Sequence, residues 1–344
     1  SPILKYKRFK FKMNLDYLFS TDSSNYNNNW NDVFDFLERI EYLEFLFFDN
    51  RINLSLGEIN NLSFGHGYLL NDYGNNYNNP IKRNLGFSFN LRNSNNSVMY
   101  QFFISSLEEA INAGGLIGHH FSFLVSNSFP LRVGFGHVID LNQLIDYNAV
   151  TTKRQVNGFE IDFDLPVITQ NLFFIGEITG IRFPERRYYK RVDDSQFTND
   201  KKSRDGSWGI AFPGIQYITK NYDFKITLNY NSAIHSPYYF NRTYDFEKIR
   251  YRSYNIQNES FYPDEEDLLM SFFDENSDDK FFLPKDIYGM ITDDENTYPT
   301  YGFSSSLNLK INSYSKIMMH YSYFTEIANA IDNLSFHTVS VDMK

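Results

Sequence analysis

The stretch "GFEIDFDL", Gly158 to Leu165, sets Phe159, Ile161, Phe163 and Leu165 against Glu160, Asp162 and Asp164. Strict alternation over eight residues is the signature of a β-strand with one apolar and one charged face. The same period of two recurs along the chain. "RFKFKMNLDYLF" (8–19) alternates Phe9, Phe11, Met13, Leu15, Tyr17 and Phe19 with Lys10, Lys12, Asn14 and Asp16. "LGFSFNL" carries Leu85, Phe87, Phe89 and Leu91 on one face. "VMYQFFI", "LRVGFGHVI", "YDFKITLNY", "YGFSSSLNLKI" and "KIMMHYSYF" continue the pattern.

Fourteen such segments are expected, at 6–19, 40–48, 52–64, 84–92, 98–105, 117–126, 131–139, 156–166, 172–183, 208–219, 222–232, 299–312, 316–326 and 334–343. Several exceed the roughly nine residues that a tilted strand needs to cross a bilayer. Connectors alternate in length. Short ones rich in turn formers (49–51, 93–97, 127–130, 167–171, 220–222, 313–315) alternate with long ones near 20–39, 65–83, 106–116, 140–155, 184–207, 233–297 and 328–333. Residues 30–39 have helical spacing within the first long connector. Short turns on one side and long loops on the other are the layout of a transmembrane barrel.

Composition agrees. Of 344 residues 18% are aromatic, with 35 Phe and 26 Tyr. Mean hydropathy is nevertheless -0.45, and no apolar run reaches the roughly 18 residues of a membrane helix. The net charge of -10 argues against nucleic acid as a partner. With no cysteine, disulfide scaffolds and Cys-based sites are excluded. The expectation is an all-β, single-domain chain (1–344): one antiparallel transmembrane β-barrel of about 14 strands with short periplasmic turns and long extracellular loops. An even count would put both termini on the short-turn side. A secreted soluble β-protein is the competing architecture.

On these segments, and on "LSLGEINNLSFGHGYLLNDY" followed by "NNPIKRNLGFSF", the chain resembles bacterial outer-membrane β-barrels of the porin-like kind. The resemblance implies an outer-membrane location, contact with lipid and lipopolysaccharide, and passage of small hydrophilic solutes; because seven scattered histidines and the lack of a nucleophile motif offer no catalytic constellation, neither enzymatic activity nor a cofactor is expected. It also implies a leader lost ahead of Ser1; such barrels usually end on an aromatic residue, and the ending "VSVDMK" departs from this, so the chain is cut short, continues, or carries an atypical terminal signal. A loop-plugged barrel serving adhesion or an envelope complex is the alternative, with self-association as a further option.

Strand phase nominates pore-lining residues Lys10, Lys12, Asp16, Arg92, Arg132, Glu160, Asp162, Asp164, Asp223, Lys225 and Lys310. Their signs are mixed, so pairing between neighbouring strands competes with a cation-favouring patch at 160–164. The opposite phase nominates Phe9, Phe11, Phe87, Phe89, Phe163, Phe224 and Leu307 as lipid-facing. "SFGHGYLLNDY" lacks the helix and Lys of a phosphate loop, and is expected to be a surface or inward-folded loop. His119 and His137 share the apolar phase and are expected to be interface fillers. "ERRYYKR" (185–191) could hold lipid phosphates. The acidic connector 233–297 is expected to form an extracellular cap with a solvated acidic surface; calcium on the hard oxygen ligands Asp264, Glu265, Asp267, Asp274 and Asp278 is the alternative, although EF-hand spacing is missing.

Overall fold

The computed structural model describes residues 3–6, 8–13, 40–76, 84–143, 155–167, 171–183, 187–193, 196–202, 206–233, 235–247, 249–253, 260–263, 280–284, 298–311, 316–326 and 335–343. Its strands in chain order are β1 (Ile3–Tyr6), β2 (Phe9–Met13), β3 (Ile40–Phe47), β4 (Ile52–Gly57), β5 (Leu70–Asn71), β6 (Gly86–Arg92), β7 (Val98–Ile104), β8 (Leu116–Leu124), β9 (Arg132–Asp140), β10 (Val156–Pro166) and β11 (Leu172–Arg182). They continue with β12 (Arg187–Asp193), β13 (Gln196–Lys202), β14 (Gly206–Ile218), β15 (Tyr222–Asn231), β16 (Phe240–Asn241), β17 (Ile249–Ser253), β18 (Ser260–Pro263), β19 (Lys280–Pro284), β20 (Thr300–Lys310), β21 (Lys316–Glu326) and β22 (Ser335–Met343).

Fifteen of these form one antiparallel meander, β1-β2-β3-β4-β6-β7-β8-β9-β10-β11-β14-β15-β20-β21-β22. The expectation of a closed barrel of about 14 strands is overturned. The sheet is open, with β1 at one edge and β22 at the other, and the two edges are not paired among the described residues. The count also differs. The single strand expected at 6–19 is a hairpin within its described part, with Tyr6 opposite Phe9 and Ile3 opposite Lys12. Its signal lies in the sequence: the aromatic phase is even at Tyr6 and odd from Phe9 onward, as a two-residue reversal requires. An odd number of antiparallel strands places the start of β1 and the end of β22 at opposite rims, which removes the parity expected for the termini.

Short and long connectors still alternate between the rims. Between β3 and β4, Phe48, Asp49 and Asn50 all have positive φ (48°, 55° and 65°), a cost that a tight reversal imposes on non-glycine residues. Several long connectors are structured. A one-turn helix, Leu107–Ile111, is capped by Ser106, whose hydroxyl accepts from the Glu109 amide at 3.2 Å. Residues 184–207, expected as a loop, contain the hairpin β12–β13, which pairs onward with β18. The helical spacing at 30–39 lies outside the described residues.

The two faces of the sheet are inverted relative to a soluble protein. On the inner face Ser122, Glu160, Asp162, Glu177, Thr179, Thr227, Asn229, Asn231, Ser304 and Ser322 are buried. On the outer face large apolar side chains are exposed, from 37% for Ile226 to 53% for Leu228, with Phe135, Phe159, Ile161, Ile178 and Trp208 between. Register makes this face continuous. Phe9, Phe45, Leu54, Phe89, Phe102, His119, His137, Phe159, Gly180 and Trp208 are paired neighbour to neighbour, and directly paired residues share a face.

An apolar core sits inside, at the long-loop rim. Phe64, Leu69, Leu70 and Tyr73 from the β4–β6 connector meet Tyr239, Phe240 and Tyr244 from the β15–β17 connector. The connectors are joined by parallel pairing of β5 with β16. They pack on Phe103, Leu116, Val138, Val156 and Ile181 from the sheet. Gly118 and Gly158 leave the room: a Cβ would lie 2.4 Å from Phe103 at the first and 2.7 Å from Phe240 at the second. Together the two connectors form a plug.

Candidate functional site: a plugged polar interior

Below the apolar core the plug is fastened to the sheet by charge. Residues 65–69 turn through Gly65 (φ 48°) and Gly67 (φ 78°), left-handed conformations that glycine adopts without strain. The turn aims successive amides at one carboxylate. Glu177 on β11 accepts from the amides of His66 at 2.8 Å, Tyr68 at 3.0 Å and Leu69 at 3.2 Å. Convergent backbone N–H groups form an anion-binding concavity. The Lys225 ammonium donates to the His66 carbonyl. His66 Nε2 lies 2.9 Å from the Phe163 carbonyl, and burial, with Lys225 nearby, holds this imidazole below the ordinary histidine range. The Tyr68 hydroxyl donates to Asn231 Oδ1 at 2.5 Å, and burial pushes its pKa well above the ordinary tyrosine value. Further into the plug, Tyr73 donates to Asp245 at 2.6 Å and Tyr244 to Asp140 at 2.8 Å.

Beside this anchor, His120 of β8 reaches Asp162 of β10, with Nε2 2.7 Å from Oδ2. Glu160 Oε1 lies 3.8 Å from the same nitrogen. A cavity of about 610 Å³ opens next to them, lined among others by His66, Tyr100, Gln101, His120, Ser122, Asp162, Gln216, Ser306, Asn308 and His320. Residues near the short-turn ends of β6 and β7, Leu91, Arg92 and Met99, also line it. The interior is therefore plugged toward one rim and hollow toward the other.

Of the residues nominated as pore-lining, Arg92, Arg132, Asp162, Asp164, Asp223 and Lys225 line this cavity. Glu160 lies behind its wall and is buried. Arg132 donates to the Asn96 carbonyl and, at 3.4 Å, to Ser122. Asp223 accepts from Gln216 at 2.8 Å. Lys10 and Lys12 lie away from it and pair with Glu44 and Glu41 of β3. Lys310 is exposed at the end of β20. Phe224 is exposed, whereas Phe9, Phe11, Phe87, Phe89, Phe163 and Leu307 are half-buried among neighbouring rings and strands. His119 and His137 are direct cross-strand partners, with ring centroids 5.5 Å apart, in the apolar row. Asp16 and the five acidic residues nominated for calcium lie outside the described residues, as do the side chains of 185–191. His120 and Glu177 were not singled out as site residues. Their signals are faint: Glu177 is the sole acid in "LFFIGEITGIR", and His120 faces the paired glycines of "VGFGH".

Comparisons with known proteins add little beyond general likeness. No family model matches the chain, and no curated protein does. Among solved structures the chain is similar at low identity to outer-membrane β-proteins. OmpT of Vibrio cholerae, an outer-membrane protein, is 10% identical with a TM-score of 0.33, over 88% of this chain and 81% of that one. Wzi of Escherichia coli is described as an outer-membrane protein involved in group 1 capsule assembly and a carbohydrate-binding β-barrel. It is 12% identical with a TM-score of 0.34, over 88% of this chain and 67% of that one. Both superpose loosely.

Proposed function

We propose that the chain is an outer-membrane sheet protein whose interior is filled by its own loops, and that it serves as a scaffold with a polar vestibule instead of as an open channel. Glu177 carries this proposal. A buried carboxylate shared by three loop amides fixes the plug in place, and the apolar core behind it gives the plug no easy exit. Free passage of small solutes would require both to be undone. The membrane part of the proposal is supported by the continuous exposed row of aromatic and aliphatic residues. A contiguous exposed apolar row of this kind marks an interaction surface, and lipid or lipopolysaccharide acyl chains would cover it. The role is non-catalytic: the interior groups bind and position.

Two measurements test this. Purified protein should float with liposomes and leave a planar bilayer electrically silent. Steady conductance from the wild-type chain would refute the plugged scaffold. A chain that stays in the aqueous phase without detergent would refute the membrane location.

A further inference from the structure

We propose that His120, Glu160 and Asp162 hold a divalent first-row transition metal ion of the zinc class on the inner face of the sheet. The three side chains come from β8 and β10, which are not neighbours. Between them runs β9, and the residues it places in register are Gly136, opposite both His120 and Glu160, and Gly134, opposite Asp162. Two strand spacings amount to roughly 9.6 Å, so the side chains meet only because β9 offers no side chain there. A Cβ on Gly134 would lie 2.1 Å from Asp162 Oδ2 and 2.6 Å from His120 Nε2. A Cβ on Gly136 would lie 2.5 Å from Glu160 Oε1. The glycine gap is thus filled by three potential ligand groups, one donor atom of each lying within 4.8 Å of the others.

The second observation concerns Glu160. Its side chain is fully buried, no N–H or hydroxyl donor reaches either carboxylate oxygen, and the polar group beside it is another acid, the carboxyl of Glu177. Acids buried side by side cannot all stay ionised without a counter-charge; they share a proton or take up a cation. The nearby cations are committed elsewhere: Lys225 to the His66 carbonyl, Arg132 to Asn96 and Ser122. His120 Nε2, at 3.8 Å, is beyond hydrogen-bonding range of Glu160. A cation between Glu160, Asp162 and His120 would neutralise both acids.

The donor set defines the class of ion. One imidazole nitrogen and two carboxylate oxygens suit zinc and its neighbours, with bonds of about 2.0–2.2 Å. Tetrahedral bonds of this length set ligand atoms roughly 3.3 Å apart; His120 Nε2 lies 2.7 Å from Asp162 and 3.8 Å from Glu160, on either side of that value, so seating the ion replaces the His120–Asp162 hydrogen bond and draws Glu160 inward. The site has a route of entry: His120 and Asp162 line the vestibule, with Glu160 at the back, so a fourth position faces the cavity. Phe64 stacks on His120 with centroids 5.5 Å apart and fixes the plane of the imidazole. The site is separate from His119 and His137, which lie in the apolar row.

The test uses the purified chain in detergent, stripped with chelator and titrated with zinc by calorimetry, with metal counted by mass spectrometry after desalting. One zinc per chain is expected. Loss of an outer-shell partner typically costs about 10–100-fold in metal affinity, so loss of a ligand should cost at least about 100-fold. Glu160→Gln, nearly isosteric, should therefore bind about 100-fold more weakly or worse, while Asp49→Asn, at an exposed turn, should bind as wild type. Circular dichroism and heat-shifted mobility confirm folding, and His120→Gln replaces Glu160→Gln if the latter fails that check. Wild-type affinity in the folded ligand variant would overturn the site, as would failure of the wild-type chain to retain zinc. Binding of calcium in preference to zinc would overturn the class of ion.

Discussion

Replacing Glu177 by Ala removes the carboxylate that the amides of His66, Tyr68 and Leu69 share. Hydrogen bonds to a charged acceptor contribute about 1.5–3 kcal/mol each, so three give a gross value of about 4–9 kcal/mol. Desolvation of the carboxylate offsets several kcal/mol of this. Truncation also strands buried donors, and breaking one side of a buried charged network typically costs about 3–5 kcal/mol. We expect the docked plug to lose that amount. At about 1.4 kcal/mol per tenfold, the undocked population should rise by roughly two to three and a half orders of magnitude. The absence of native cysteine makes this measurable. Leu70 is fully buried in the plug, so Leu70→Cys reports undocking through its rate of reaction with a polar maleimide. Comparison of that variant with and without Glu177→Ala cancels the cost of the cysteine itself. Glu177→Gln, which keeps one acceptor oxygen, should fall between. Equal labelling rates with Glu and Ala at 177 would refute the anchoring role and weaken the plugged scaffold with it.

Three further outcomes are expected. Leu228→Arg should cost about 2–4 kcal/mol in a bilayer if the exposed face meets lipid near mid-membrane, measured by urea titration in vesicles; a change within about 0.5 kcal/mol, the usual result at a solvated surface, would show water instead. His235, in the plug connector, is flanked by Thr179 at 3.0 Å and Ser207 at 3.2 Å, and burial lowers its pKa from 6.5 to about 3. The unfolded chain therefore binds the extra proton between those values, so stability is full above pH 6.5 and falls with pH at about 1.4 kcal/mol per unit. Relative to His235→Gln, the wild type should lose about 2 kcal/mol between pH 6.5 and 5; parallel denaturation profiles would contradict the buried neutral imidazole. Gly134→Ala should destabilise by about 1–3 kcal/mol through overpacking and should abolish zinc retention, because its methyl would occupy the contact between His120 and Asp162; unchanged retention would show that the gap over β9 is not needed.

The strands were legible because alternation is a local property. "GFEIDFDL" and "YDFKITLNY" carry the pattern that β10 and β15 display, with their apolar residues outward. Whether the sheet closes is not local. It depends on pairing between the first and last strands, and no periodicity within either strand encodes that. The hairpin at Tyr6–Phe9 escaped because a two-residue reversal leaves the apolar pattern nearly intact. The site was half legible. Phase alone puts Glu160 and Asp162 on the inner face, but their partners depend on register across three strands and on a loop more than ninety positions away. Neighbouring-strand lysines were the expected counter-charges. Instead, His120 meets Asp162 over the glycines of β9, and loop amides meet Glu177. The paired glycines at alternate positions of β9, Gly134 and Gly136, are the sequence signal for this meeting, since they leave room for side chains from the strands on either side.

The plug also constrains the order of assembly. Tyr73 and Asp245, which hydrogen-bond within it, are 172 positions apart in sequence, and eight strands of the main sheet lie between them. The first plug segment can dock on β7–β11 once these strands are made, but its apolar core stays half-built until the connector beyond β15 supplies Tyr239, Phe240 and Tyr244. Until then Tyr73 is without Asp245, and the aromatic side chains of the first segment are covered on the sheet side alone. Contacts of such long range make folding slow and expose intermediates. β20–β22 follow both plug segments in the chain, so they can pair onto a sheet whose interior is already filled. A chain ending at residue 232 would contain most of the sheet and none of the second plug segment, leaving an aromatic loop with only the sheet to close on.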